Sequence, residues 1–178
     1  MAKRILVVLS EWGYWGEELI GPLDVLTKAG YQLDFMTSFG RKPPALPPSM
    51  EEGYLDPPLH KVVTDAHYAK RTTEVHESNL LDNPINLSEK ISLMPYFNGP
   101  NFGLELAAFH ERREEFWKEF VDPYDALLLP GGSGPMADMV NNERLHNLIL
   151  GYVDRDKLIA AECYCVTCLA FARDWTDR

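Results

Sequence analysis

The chain has 178 residues, 46% hydrophobic and 25% charged, with 17 Lys+Arg against 27 Asp+Glu and a formal net charge of −10. At about 100–200 residues per domain this is a single globular domain, 1–178, and the composition excludes disordered and collagen-like chains. So negative a charge argues against general binding to nucleic acid or an anionic membrane, and no apolar run approaches the ~18–20 residues that span a bilayer. The N-terminal stretch Met1 to Leu9 is too short and lacks a small-residue cleavage site, so no secretory signal is expected. The three cysteines, Cys163, Cys165 and Cys168, are an odd number packed close together, which is no disulfide framework. A reducing, cytoplasmic location follows as the expectation.

Ile5 to Ser10 is a continuous apolar, β-branched run, the pattern of a parallel strand buried on both faces. A loop rich in glycine and aromatics follows, Trp12-Gly13-Tyr14-Trp15-Gly16, and then a helix is predicted over Glu17 to Ala29, with Pro22 disturbing its first turn and Gly30 as its cap. Tyr31 to Thr37 alternates as a second strand, completing a βαβ unit. From about 40 to 100 the chain is rich in proline and poor in periodicity, and reads as a long irregular insert: a lid, a contact between copies, a core layer or a surface excursion without a role. The spacing predicts a helix over Phe102 to Phe120, with Phe102, Leu106, Phe109, Phe116 and Phe120 on its core face. Asp125 to Leu129 reads as a buried strand running into Pro130-Gly131-Gly132-Ser133-Gly134-Pro135. A helix over about Asn142 to Tyr152, a strand over Lys157 to Ala161 and a final helix over Val166 to about Arg173 close the chain. Parallel strands alternating with helices make an α/β, flavodoxin-like, doubly wound sheet.

In open α/β sheets ligands bind beyond the carboxyl ends of the strands. The loop at 11–18, the Gly131-Gly132 turn and Cys163 all fall there. Cys163 sits between a strand read as buried and a helix, as in a nucleophile elbow, where a helix N-terminus favours thiolate; the alternative is an inert buried cysteine. The N–H groups of Gly131 and Gly132 suit a developing oxyanion, or the glycines simply make a turn. Glu17 and Glu18 open a helix, where the dipole accounts for one of them; the other, pointing into the cleft beside a thiol, would rise in pKa and could carry a proton. Glu162 either serves the nucleophile or points away toward a base such as Arg173. Cys163-x-Cys165-x-x-Cys168 has no fourth ligand and its cysteines do not converge, so no metal and no cofactor is expected.

Together these residues resemble the ThiJ/PfpI superfamily, which includes the Parkinsonism-associated deglycase, the heat-shock chaperone/glyoxalases and the isocyanide hydratases. The likeness runs over Lys3 to Gly40 and about Phe116 to Trp175. The family's Ala-Ala-x-Cys-His-Gly-Pro elbow stands here as Ala160-Ala161-Glu162-Cys163-Tyr164-Cys165-Val166, and its Pro-Gly-Gly-x-Gly-Pro turn as Pro130-Gly131-Gly132-Ser133-Gly134-Pro135. The resemblance places the family's site acid at Glu18, and Asp125 to Asp138 is most similar to the chaperone/glyoxalase branch. Tyr164 replaces the histidine that often follows the cysteine, and Ser133 stands where that branch often has another. No neighbouring imidazole is left as base, and a tyrosine hydroxyl is a poor base at neutral pH. The isocyanide hydratases, which use a cysteine and an acid, are more similar on this point. Family members usually continue past the elbow helix, so the resemblance implies a C-terminal part that is missing or supplied by another chain.

The expectation is a cysteine-dependent enzyme acting on a small electrophile, a hydrolase, hydratase or glyoxalase-like lyase. Cys163 is the nucleophile, Glu18 the proton shuttle and Tyr164 a further catalytic residue. Gly131 and Gly132, with the Tyr164 N–H, hold the anion, and Trp12, Tyr14, Trp15, Ser133 and Glu162 contact substrate. The expected partners are a small-molecule substrate and either further copies or a complementing second chain, with no nucleic acid and no membrane. The alternative is a redox-sensing or chaperone-like subunit without turnover.

Overall fold

The computed structural model describes residues 3–97 and 99–173. Its centre is a five-stranded, all-parallel sheet. The strands are β1 (Arg4–Val8), β2 (Gln32–Thr37), β5 (Ile85–Asn86), β6 (Ala126–Leu129) and β7 (Leu158–Ala161), in the spatial order β5-β2-β1-β6-β7. Period-two geometry splits the continuous apolar runs between two cores. Ile5 and Val7 of β1 and Ala126 and Leu128 of β6 pack under α1 (Gly16–Lys28) with Leu19, Ile20 and Leu23. Leu6, Val8, Leu127 and Leu129 pack on the opposite face against Phe116 and Phe120 of α4 (Phe102–Phe120) and Leu145, Leu148 and Tyr152 of α6 (Glu143–Asp154). Helices on both faces of a parallel sheet are the doubly wound arrangement.

The helix over 102–120 forms, but only its C-terminal half reaches the core. Phe109, Phe116, Trp117 and Phe120 are buried, while Phe102 and Leu106 are only partly covered. The Trp117 Nε1–H donates to Asn147 O at 2.7 Å and locks α4 to α6. Lys157, just before β7, gathers the end of α4: its Nζ donates to Val121 O, Asp122 O and Tyr124 O at 2.7, 2.8 and 2.6 Å. Charged donors on orphan carbonyls are the stronger class of hydrogen bond, so Lys157→Met, which keeps the apolar stem, is expected to cost about 1–3 kcal/mol. A urea titration checks this, and an unchanged midpoint would rule it out.

Two expectations are corrected. The segment from 40 to 100 is not irregular. It holds a 3-10 turn (Pro47–Met50), a two-residue hairpin of β3 (Leu55–Asp56) and β4 (Lys61–Val62), α2 (Ala66–Glu77), the edge strand β5 and the short α3 (Leu87–Lys90). Asp65 caps α2 by accepting from Tyr68 N–H, and Ala69, Thr72 and Val75 form its buried stripe. The insert thus completes one edge of the sheet and covers α1. The strand before Cys163 is the other edge rather than a buried strand: Leu158 of β7 is 69% exposed, and only the face carrying Ile159 and Ala161 packs on the core.

Candidate active site

The carboxyl ends of β1, β6 and β7 bring three loops together. After β6, Gly131 N–H donates to Glu18 Oε2 at 2.8 Å, and Gly131 O accepts from Trp15 N–H at 3.1 Å. One glycine therefore fixes both the start of α1 and its acid. No larger residue fits there: a Cβ on Gly131 would lie 2.5 Å from Glu162 O and 2.9 Å from both Cys163 Cβ and Glu18 Oε2. Gly132 has φ +91°, a conformation that favours glycine, and a Cβ there would lie 2.6 Å from Trp15 N. The short helix α5 (Pro135–Asp138) follows. Asp138 secures the first loop, accepting from Ser10 Oγ–H at 2.6 Å and Glu11 N–H at 2.9 Å.

After β7 the chain turns sharply into a 3-10 segment (Cys163–Cys165) and then α7 (Val166–Phe171). Cys163 has φ 49°, a left-handed conformation uncommon in a residue with a Cβ. The backbone N–H of Cys165 closes the turn onto Glu162 O at 3.0 Å. The strained turn is the nucleophile-elbow geometry: it lifts the Cys163 side chain off the sheet and leaves it exposed, while Cys165 and Cys168 are buried. The Cys165 thiol donates to Pro130 O at 3.1 Å, which accounts for it as a structural residue.

The Cys163 sulfur meets the backbone N–H groups of Gly132 and Tyr164 and the Glu18 carboxyl. Burial pushes the thiol above its ordinary pKa and the Glu18 charge adds to this, outweighing the two N–H groups. The site thus favours the thiol, beside the Glu18 carboxyl, over the thiolate, and the expectation of a favoured thiolate is corrected. Glu18 is itself raised, by burial first and then by Glu162 and Glu17, against the lowering effect of Gly131 N–H and the thiol. Both groups are thus biased toward their protonated, uncharged forms, and neighbours of this kind can pass a proton from sulfur to carboxyl and back.

Above them is a cavity of about 460 Å³, of the size that holds a small molecule. Cys163, Glu18, Tyr164, Gly132, Trp15 and Ser133 all line it. Other expected residues stand apart. Tyr14 is fully buried in the core under α1, with its hydroxyl unpartnered, because the loop folds back as a strand-like bridge to Ala45. Trp12 points to solvent, 70% exposed, and lies outside the lining. Gly131 spends its N–H on Glu18, which leaves Gly132 and Tyr164 as the free pair of donors for an anion. Glu162 is not in the lining but sits beside it, raised by burial and by Glu17, and makes no ion pair with Arg173 among the described residues.

Glu17, Leu46, Pro48, Tyr54, Asp56 and Val63 complete the wall. Five of these six come from the insert, which reaches the site through paired backbone bonds: Tyr14 N–H to Pro44 O at 3.1 Å and Leu46 N–H to Tyr14 O at 2.9 Å. Nothing local in the sequence marks them, since their place depends on pairing across some 30 residues. Among the described residues no three of His, Cys, Asp and Glu are grouped to hold a metal ion, and no helix is long and apolar enough to cross a membrane.

A doubly wound sheet with an elbow cysteine, a paired carboxyl and a Gly-Gly turn defines the class of elbow-cysteine α/β domains. The chain belongs to a particular group within it: the family model described as ThiJ/PfpI family-like matches residues 9–177. Solved structures carry the same fold. The Rapid Encystment Protein 24 kDa of Francisella tularensis is 19% identical, with a TM-score of 0.60 over 99% of this chain and 65% of its own. A ThiJ/PfpI domain protein from Brachyspira murdochii is 16% identical, with a TM-score of 0.53 over 97% and 65%. Glyoxalase III from Candida albicans is 16% identical, with a TM-score of 0.50 over 93% and 59%. The chain thus spans less than two thirds of the length of these solved chains. A comparison with curated proteins finds no match.

Proposed function

We propose that the chain forms the active-site portion of a cysteine-dependent enzyme that acts on a small electrophilic molecule, by hydrolysis, hydration or glyoxalase-like lyase chemistry. The observation that carries this reading is the exposed Cys163 thiol, held at positive φ between the Gly132 and Tyr164 N–H groups and Glu18, at the floor of a cavity. The thiol proton passes to the Glu18 carboxylate as sulfur bonds to the electrophilic carbon. The electron pair displaced from that carbon's multiple bond comes to rest on its heteroatom, where the Gly132 and Tyr164 N–H groups stabilise it. Glu18 then returns the proton, to that heteroatom in a carbonyl or amide and to the attacked carbon itself in an isocyanide, and water or rearrangement frees the sulfur.

The glyoxalase III likeness keeps a 2-oxoaldehyde on the panel of substrates to be tried, beside isocyanides and activated amides. Cys163→Ser is expected to abolish turnover of whichever panel member the protein consumes, and with it the covalent adduct seen by intact mass. Turnover surviving in this variant would end the proposal.

A further inference from the structure

The charge of the cavity is one-sided. Three carboxylates, Glu17, Glu18 and Asp56, line it, and no Lys, Arg or His is among the described lining residues. Glu162 stands next to them, and Glu17 and Glu162 both reach Glu18 electrostatically. None of the ion pairs among the described residues involves any of these four acids. Asp56 is held in place by the hairpin turn, where its Oδ1 accepts from Leu59 N–H at 2.8 Å. Three aromatic residues, Trp15, Tyr54 and Tyr164, line the same cavity, and none of them stacks with a resident cation among the described residues. Carboxylates beside aromatic rings are the surroundings in which an ammonium or guanidinium group is held, and a cleft lined by one sign of charge concentrates the opposite sign.

We propose that the pocket selects electrophiles carrying a positively charged group, takes uncharged ones less well and excludes carboxylated, sulfonated or phosphorylated ones. The cation lies against Asp56 and Glu17 while the electrophilic carbon reaches Cys163. This rests on the reading of Cys163 as the nucleophile, and deepens it by naming the substrate class.

Three thiol reagents of matched chemistry test it on the intact protein: 2-aminoethyl, methyl and 2-sulfonatoethyl methanethiosulfonate, which are cationic, neutral and anionic. In each, the Cys163 sulfur forms the mixed disulfide, methanesulfinate leaves with the electron pair and the thiol proton is released. Rates are divided by those for a free small thiol, and peptide mass locates the label. The cationic reagent is expected to outpace the anionic one at Cys163 by about tenfold, with the neutral reagent between. Raising the salt compresses the ratio, as do Glu17→Gln and Asp56→Asn, two partly or fully exposed positions outside the core. Labelling of Cys163 with no such order, or with the order reversed, overturns the selectivity and leaves the nucleophile standing. Failure of all three reagents to label Cys163 in folded protein overturns both.

Discussion

Glu18→Gln is expected to move two readouts in opposite directions. Alkylation of Cys163 by iodoacetamide at neutral pH rises, while turnover falls. The carboxyl raises the thiol pKa, by its charge and by accepting the thiol hydrogen bond, so removing the charge lowers that pKa and enlarges the thiolate fraction. A thiol pKa lower by about one gives about ten times as much thiolate at neutral pH. The amide keeps a carbonyl oxygen for Gly131 N–H but cannot carry a proton, and lost acid–base catalysis costs about 100- to 10,000-fold. Stability adds a third sign. The folded state raises the Glu18 pKa, so it binds that proton more tightly than the unfolded chain, and ionised Glu18 destabilises the fold at neutral pH. The variant is therefore more thermostable at pH 7, and the advantage disappears as the pH falls below the ordinary glutamate value, where the acid is protonated in both states. A thermal melt beside an alkylation pH profile and a turnover assay reads all three. Alkylation that falls with turnover would mean that Glu18 only positions the sulfur.

Gly131→Ala is expected to damage fold and site together. Its added methyl meets the backbone oxygen of Glu162, the Cys163 Cβ and the Glu18 carboxyl, two of them backbone or backbone-fixed atoms. Overpacking of this kind costs about 1–3 kcal/mol, which lowers Tm by about 5 °C in a chain of this size. The relief available is displacement of the elbow against the acid, and misplacement by about an ångström costs about 100-fold in rate. Turnover and the Glu18 dependence of Cys163 alkylation are lost together. A variant with native turnover would show that the glycine is there for the turn alone. The comparison Ser133→Ala, at an exposed neighbour, controls for disturbance of the loop.

The parts that were legible in the sequence are those where local pattern and tertiary place agree. The runs at 5–10 and 125–129 are apolar on nearly every residue because both faces of β1 and β6 are buried, and the helix over about 142–152 is legible because its buried Leu145, Leu148, Ile149 and Tyr152 recur at helical spacing. The place of Cys163, Gly132 and the Glu17-Glu18 pair beyond the strand ends was legible from position, while the choice of Glu18 over Glu17 came from the family resemblance. Tyr14 and Trp12 were not: a loop sequence gives no periodicity from which to tell inward from outward, and here one faces the core and its neighbour faces water. α2 was hidden because only Ala69, Thr72 and Val75 are buried on it, a thin stripe among polar residues. The ionisation of Cys163 was misjudged because an elbow's N–H groups are written in the motif, whereas the burial and the facing acid are properties of the assembled cavity.

The hairpin of β3 and β4 is closed upon itself. Tyr54 O accepts from Val63 N–H, Thr64 O from Gly53 N–H, and the Thr64 hydroxyl donates to Pro48 O. Its strands are two residues long and pair only with each other, while the five-stranded sheet holds the core. On the proposed reading, ligand preference and folding are written in different stretches of chain. A lineage can exchange Tyr54 or Asp56 and acquire a new diet without relearning how to fold, with the sulfur, its acid and their shared glycine unchanged beneath.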